Sequence, residues 1–569
     1  MSRTGAQLVV RALEDEGIPF TFGIPGTHNI ELYDELSKSE KVRAVLVTDE
    51  QSASFMADGV WRASGRMACA NVVPGAGLTH ALSGIAEAFM DNVPMLVLGC
   101  GIRRDTGKAY QLHDVDQLAI ARPITKGTFR PTRGSEIYST IRKACALARS
   151  GAPGPVMVEI PADQYLFKHD GDLVAPEAAS PAGTTALMVE RAAALLAKSR
   201  RPLFYVGLGA ARAEVVALAE RLEAPVATTI QGKGVFPESH PLWLWPGFGK
   251  GAPAFARDVA AGCDATLAIG CKFGEVATAS YGAEPPKPLI HVDIDPSVLG
   301  KNHRPELGVV SDARLFVEAL LSRLPARGAD AALRERIREG HRALREESER
   351  SRSTTGVTPA LLLESLQRTF GPETIFTSDS GNGTFLAMET LRLERPGRLL
   401  SPVDYSCMGY AVPAAIGAKA ARPEAPVVAL AGDGAFQMTG LELLTSVSEG
   451  FPIVVVLLRD GELAQIAQFQ STAMNRKTCT VLPDLDLEAF CRAVGVEHVP
   501  LERDEGISAA LSRASAASKE GRTVVVDARV DYSQKTWFTR GVVSVNLGRL
   551  PLKDRLRFIG RAVVRLVTG

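Results

Sequence analysis

A chain of 569 residues exceeds what one hydrophobic core can serve, since cores stop growing near about 250–300 residues, so about three or four domains are expected. Lysine plus arginine and aspartate plus glutamate balance at 64 each, which leaves no net field to gather nucleic acid. An aromatic share of 6% likewise offers few stacking faces for bases.

The opening MSRTGAQLVVRALEDEG brings in Glu14, Asp15 and Glu16 too early for the apolar core of a signal peptide, and no apolar run reaches the ~18 residues of a membrane span. A cytoplasmic protein is expected. Short runs rich in Val, Ile and Leu recur between helix-like stretches: VRAVLV at 42–47, MACANVV at 67–73, PMLVLG at 94–99 and GPVMVEI at 154–160. Runs apolar on both faces and alternating with helices predict an α/β chain of parallel sheets covered on both sides. An Ala-, Pro-, Gly- and Ser-rich stretch at 171–186 and a charged run at 326–356, read as a solvated helix and linker, divide the chain. The pieces are 1–170, 187–330 and 357–540, each expected as a mainly parallel sheet flanked by helices, with a basic tail at 541–569. The first and third share a plan, a Gly-rich loop after a strand and a polar turn bearing acids, without a visible sequence repeat. The eight cysteines, at 69, 100, 145, 263, 271, 407, 479 and 491, form no CxxC pair and no zinc spacing, so they read as buried thiols of a reducing compartment.

The sharpest motif is GDG at 432–434, preceded by the strand-like VVALA and followed by PIVVVLL, which ends at Leu458, two residues before Asp460. The ends of neighbouring parallel strands lie side by side at the carboxyl edge of a sheet, where open α/β folds bind ligands. A magnesium ion takes oxygen ligands and shares them with a diphosphate, while glycines let the backbone approach phosphate oxygens. Asp433 alone would read as a helix cap after a tight turn. With Asp460 at this spacing, the two read as a metal and diphosphate anchor.

The surrounding segment, SCMGYAVPAAIGAKAARPEAPVVALAGDGAFQM, resembles thiamine-diphosphate enzymes of the acetolactate synthase large-subunit kind. So do GIPGTHNIELYDEL, TDEQSASFMADGVWRASGR, AEAFMDNVPMLVLG, YQLHDVDQLAIARPITK, GPVMVEIPAD and HVDIDPSVLGKN, over about residues 5–530. The resemblance implies a pyrimidine-binding first domain, a central domain of the FAD- or ADP-binding kind carried by PGFGKG at 246–251, IGCKFGE at 269–275 and VDIDP at 292–296, and a diphosphate-binding third domain. It implies thiamine diphosphate and Mg2+ as cofactors, with FAD as a further possibility that Lys272 weakens by standing where the family has arginine. Asp433 and Asp460 would bind the metal, joined by the backbone carbonyl of Glu462, with Gly432, Gly434 and Ala435 against the diphosphate. Arg459-Asp460 replaces the family's Asn-Asn, which adds a negative charge. Met408 would wedge under the cofactor, with Gly409 allowing close approach.

Glu50 matches the glutamate that hydrogen-bonds the pyrimidine N1′ and makes the cofactor's own amino group a base. In the family it reaches a cofactor held by another subunit, so a homodimer or homotetramer is implied. Asp49 stands where many relatives have histidine. Around the reacting carbon the resemblance places Gly26, Thr27 and His28, then Gly75 to His80, then Gln111 and His113. His80 replaces a usual asparagine, and these histidines are candidate proton carriers. Gln465 and Phe469 stand where biosynthetic acetolactate synthases carry Met and Trp, which loosens the assignment of substrate. Carboligation of 2-ketoacids, by decarboxylation and then acyloin formation, is the implied reaction. The alternatives are a 2-ketoacid decarboxylase, a 2-hydroxyacyl-CoA lyase, and an inactive cofactor-binding relative. The stretch 532–541 is expected as a lid over the site, and the basic amphipathic tail helix at 552–567 to pack on the protein rather than to touch a membrane.

Overall fold

Strands such as Val427–Gly432, Val454–Arg459 and Leu96–Gly101 are buried almost throughout, which suits a sheet covered by helices on both faces. A computed structural model, describing residues 2–170, 173–174, 182–472 and 476–568, has three such six-stranded sheets, every pairing within them parallel. The first runs from Phe20 to Pro161, the middle from Pro202 to Val310 and the last from Ile375 to Arg529. Most of the stretch at 171–186 lies outside the described residues. The charged run includes the helix Ala331–Arg350, which buries little beyond Leu333 and Ile337. Among the described residues no helix is long and apolar enough to cross a membrane. Seven of the cysteines are buried, and Cys479 is exposed.

The three sheets follow two winding plans. The middle one, counted by its own strands, is ordered third, second, first, fourth, fifth, sixth, the doubly wound order of dinucleotide-binding folds. The first and last are both ordered second, first, third, fourth, sixth, fifth. In such sheets the strand order reverses between the first and third strands, and the crevice beyond their carboxyl ends is where a ligand fits. That crevice lies between Phe20–Gly23 and Cys69–Val72 in the first sheet, and between Ile375–Ser378 and Val427–Gly432 in the last.

Equivalent helices join these two sheets. Glu50–Ser64 follows the second strand of the first sheet and Ala411–Ala421 follows the second strand of the last, and they pack against each other backbone to backbone. A Cβ on Gly59 would lie 2.3 Å from the Ala414 carbonyl oxygen, and one on Gly417 would lie 2.1 Å from that of Met56. Each glycine thus meets the carbonyl three residues before the other, the reciprocity of a two-fold contact written within one chain.

The segment expected as a lid divides instead. The carbonyl of Tyr532 accepts from Gln468 Nε2 at 3.1 Å, near the last sheet's edge, but the helix Trp537–Arg549 leaves for the middle sheet. It is also held from the last domain, where the Glu389 carboxylate on the helix Asn382–Thr390 accepts from the backbone N–H groups of Trp537 and Phe538, and Phe538 stacks on Phe385. Glycines Gly251 and Gly541 let this helix dock at backbone distance, a Cβ on Gly541 lying 2.5 Å from Gly251 Cα. The final helix, Leu552–Thr568, leaves Leu552 and Leu556 exposed.

Candidate active site

Asp433 opens the helix that follows Val427–Gly432, and Asp460 ends the neighbouring strand Val454–Arg459, with Gly432 paired to Leu458 in register. The Asp433 carboxylate accepts from the N–H of Gly434 at 2.9 Å, Gly461 at 2.7 Å and Asp460 at 3.3 Å, while Asp460 Oδ1 accepts from Glu462 at 3.4 Å. Burial, and after it the neighbouring Asp433, pushes Asp460 up to about 7, and burial also raises Asp433. Two acids that resist ionising together gain from a divalent cation between them. The Glu462 side chain pairs with Lys477 at 2.8 Å, so any part it takes in the anchor falls to its backbone. Arg459 turns to the next strand and clasps Asp527 through two hydrogen bonds of 2.8 and 3.0 Å. A cavity of about 420 Å³ opens beside the anchor, lined among others by Asp433, Gln437, Arg459, Asp460 and Arg529.

Met408 stands over the anchor, its Cε 3.5 Å from where a Gly434 Cβ would be. Three acids that the sequence reading passed over hold its loop. Asp379 accepts from the N–H of Tyr410 at 2.9 Å and Ala411 at 3.2 Å, Glu87 from Cys407 at 3.2 Å, and Asp91 from Asp404 at 3.2 Å. Burial raises Asp379 to about 7; burial and then Asp91 raise Glu87 to about 9. Asp379 had a signal: it ends the apolar strand Ile375–Ser378 before a glycine turn, the pattern of GDG itself. In that turn Gly381 faces Gln465, whose Oε1 would lie 3.7 Å from an added Cβ, and the Asn382 amide is buried with Nδ2 unpartnered. A glycine-lined edge carrying paired acids and an orphan donor fits a metal-bound diphosphate.

The first sheet's crevice holds the other candidates. Glu50 is buried in the first turn of Glu50–Ser64, capped by Asp49, whose carboxylate accepts from the N–H of Gln51 at 2.8 Å. A Cβ on Gly77 would lie 3.0 Å from Glu50 Oε1, and Val73 packs beside Gly77, so one side of the carboxylate is apolar. His80 Nδ1 lies 3.3 Å from Glu50 Oε2 and 3.5 Å from Asp49 Oδ2. Gly26 donates to Asn29 Oδ1 at 2.8 Å, and Thr27 Oγ1 is 3.2 Å from His28 Nδ1. The His28 and His113 rings meet edge-on at 5.5 Å, and burial first, then His113, lowers His28. His113 packs over Gly75, whose Cβ would lie 3.3 Å from its carbonyl oxygen. Gln111 donates at 3.2 Å to Lys108 within its own loop.

The candidates therefore form two clusters, which one chain keeps apart. Glu50 abuts Gly77 at the start of the helix Ala76–Met90, whereas Cys407, next to Met408, bonds Glu87 ten residues along it. At 1.5 Å per residue that is about 15 Å. The middle sheet's glycine loops leave little room for a flavin. A Cβ on Gly207 would lie 2.0 Å from the Gly270 carbonyl oxygen, and the space between Gly247–Ala252 and Val276–Ala279, closed by Phe538 and Met388, is about 10 Å³. That is at most a water's place, so a three-ring flavin does not fit there. Lys272 donates to the Met90 carbonyl at 2.6 Å instead of standing free for a ligand.

Comparison with known proteins identifies the family. Residues 3–120 match the family described as thiamine pyrophosphate enzyme, N-terminal TPP binding domain, residues 189–320 its central domain, and residues 379–528 its C-terminal TPP binding domain. The chain is 32% identical to an acetolactate synthase of Mycobacterium bovis, over 94% of this chain and 89% of that protein. It is 32% identical to the acetolactate synthase large subunit of Corynebacterium glutamicum, over 94% and 88%, and 31% identical to the large subunit of acetolactate synthase isozyme 3 of Escherichia coli, over 94% and 96%.

Proposed function

The chain belongs to the thiamine pyrophosphate enzyme family, among its acetolactate synthase-like members, and from that premise we propose that it is a Mg2+-dependent carboligase that decarboxylates a 2-ketoacid and joins the remaining acyl unit to a second carbonyl. The observation that carries the reading is the pair of half-sites at the same crevice of two identically wound sheets, one with paired acids and one with a buried glutamate.

When bound, thiamine diphosphate supplies a nucleophilic carbon and an electron sink. Asp433, Asp460 and the Glu462 carbonyl would hold the magnesium, and the backbone from Gly432 to Ala435 would meet the diphosphate. Met408, fixed through its neighbours by Asp379 and Glu87, would pack against the bound cofactor. Glu50 would hold a proton at the pyrimidine N1′. Gly26, Thr27, His28, Gly75, His80, Gln111, His113 and Gln465 border the reacting carbon and its substrate. Because the points on the helix Ala76–Met90 touched by Glu50 and by Cys407, the neighbour of Met408, lie about 15 Å apart, the working site takes Glu50 from a second copy, which makes a homodimer the least active unit and a homotetramer an assembly of two. No step passes through a flavin.

The test is carbon dioxide release from pyruvate by protein loaded with thiamine diphosphate and Mg2+, with and without an aldehyde or ketoacid acceptor. Acyloin formed in step with carbon dioxide supports the proposal. Aldehyde as the sole product whatever the acceptor would replace it with a simple decarboxylase.

A further inference from the structure

The imidazole of His80 sits between two carboxylates of one helix start. Asp49 is the cap of Glu50–Ser64 and Glu50 its first residue, so their side chains leave the same turn, and the first turn of the next helix, Ala76–Met90, brings His80 Nδ1 within 3.5 and 3.3 Å of them. Glu50 is buried, while the side chains of His80 and Asp49 are 59% and 47% exposed. In the single copy the ring therefore stands between an enclosed acid and the protein surface. Asp49 is itself fixed from the last sheet's side: Glu442 accepts from the N–H and hydroxyl of Thr48 at 3.0 and 2.6 Å and from the N–H of Asp49 at 3.2 Å.

We propose that Asp49 and His80 form a proton relay to Glu50, in which Asp49 orients the ring and His80 recharges the glutamate. The inference rests on the reading of Glu50 given above. In the step, an imidazolium passes its Nδ1 proton to Glu50 Oε2, leaving a neutral ring protonated at Nε2. A solvent acid then reprotonates the ring at Nδ1, its conjugate base leaving to bulk water, and the reverse sequence discharges the acid. Besides bordering the reacting carbon, His80 acts here through Glu50, as a positioning and relay residue. Other titratable groups turned toward the cluster are Glu442, Tyr33 on the helix Ile30–Leu36, and His113 over Gly75.

The experiment measures hydrogen–deuterium exchange at the C2 position of thiamine diphosphate on the Mg2+-loaded protein, across pH, in His80→Gln, Asp49→Asn and Glu50→Gln. His80→Gln is expected to slow exchange at least about tenfold and to flatten its pH profile near neutrality, with cofactor affinity held within about twofold. Asp49→Asn should slow it less. In His80→Ala, added imidazole should restore the rate, which a merely structural role would not allow. In cofactor-free protein labelled with 13C at histidine, the His80 ring signal should shift its titration in both Asp49→Asn and Glu50→Gln. Exchange that is lost in Glu50→Gln but unchanged in His80→Gln, or a His80 signal indifferent to both acids, would overturn the relay and leave Glu50's role standing. Exchange that survives Glu50→Gln would overturn that role itself.

Discussion

The first and last sheets are wound alike and bring corresponding loops to corresponding places. The loop after the first strand carries Gly26 to His28 in one and Asp379 to Asn382 in the other; after the third strand come Gly75 to His80 and Asp433 to Ala435. The segment after the second strand supplies Glu50 in the first and Met408 in the last, each just ahead of or within the first turn of the helices that cross at Gly59 and Gly417. What differs is the chemistry at those positions. The last sheet sets two acids side by side, and the first sets one acid among glycines and histidines. The winding places both sets at equivalent crevices, and a handful of residues at the strand ends makes their chemistry differ.

Breaking one half at a time tests this division with the largest effect. Glu50→Gln and Asp433→Asn are each expected to lower kcat for pyruvate turnover about 10²–10⁴-fold, the range for losing a positioned acid or its equivalent in anchoring. The sharper outcome comes from unfolding the two inactive variants together and letting them reassemble. If each site takes Glu50 from one copy and Asp433 from another, mixed dimers hold one intact site of two, and activity returns to about a quarter of wild type. A mixture that stays dead places both halves in one chain and defeats the dimer reading.

The two-fold crossing between the halves is tested next. A helix interior gains about 1 kcal/mol from Gly→Ala by propensity alone. At Gly417 the added Cβ would meet the Met56 carbonyl oxygen at 2.1 Å, so Gly417→Ala is expected to destabilise the junction by about 1–3 kcal/mol instead. Gly59→Ala should cost a like amount, because its Cβ meets the Ala414 oxygen at 2.3 Å. Urea unfolding followed by tryptophan fluorescence reads the shift, and a gain in stability from either variant would sink the close-packing account.

The unequal acids predict unequal pH behaviour. Asp460 has its proton affinity raised to about 7 by burial and by Asp433, against an ordinary 3.8. Between those values the folded, metal-free protein holds a proton that the unfolded chain has released, so this group's contribution to stability falls as pH rises through that window. Magnesium competes with the same proton, so its affinity should weaken by up to about tenfold between pH 7 and 6. Titration calorimetry at both pH values checks this, and Asp460→Asn should flatten the dependence.

The strand runs at 67–73, 94–99 and 154–160 were legible because a covered parallel strand must be apolar on both faces, whereas the run at 42–47 forms an edge strand with Arg43 and Leu46 exposed. Asp433 and Asp460 were legible because strand ends at that spacing become neighbours. Asp49 as the partner of His80 was not, since the contact crosses two helix starts 31 residues apart, and no period in the sequence encodes it. Glu87 and Asp91 were hidden for a related reason: they read as ordinary polar positions of a helix end, and only the return of the loop Val403–Cys407 from the last sheet gives them work. The docking of the helix Trp537–Arg549 was hidden because Gly251 and Gly541, which let it approach at backbone distance, carry no signal in sequence.

The smallest expected effect separates residues that serve the last sheet through side chains from one that serves it through backbone. Glu462 directs its carboxylate to Lys477, a pair with side chains 25% and 47% exposed, and its main chain bridges to Val481. An exposed pair of this kind contributes about 0–1 kcal/mol. Glu462→Gln keeps the carbonyl and the turn, so its magnesium affinity should change by less than about twofold, well short of the effect of Asp460→Asn in the same titration. A loss in Glu462→Gln as deep as that of Asp460→Asn would mean that the carboxylate itself leaves Lys477 for the ion, and the anchor would then hold three acids against the first sheet's one.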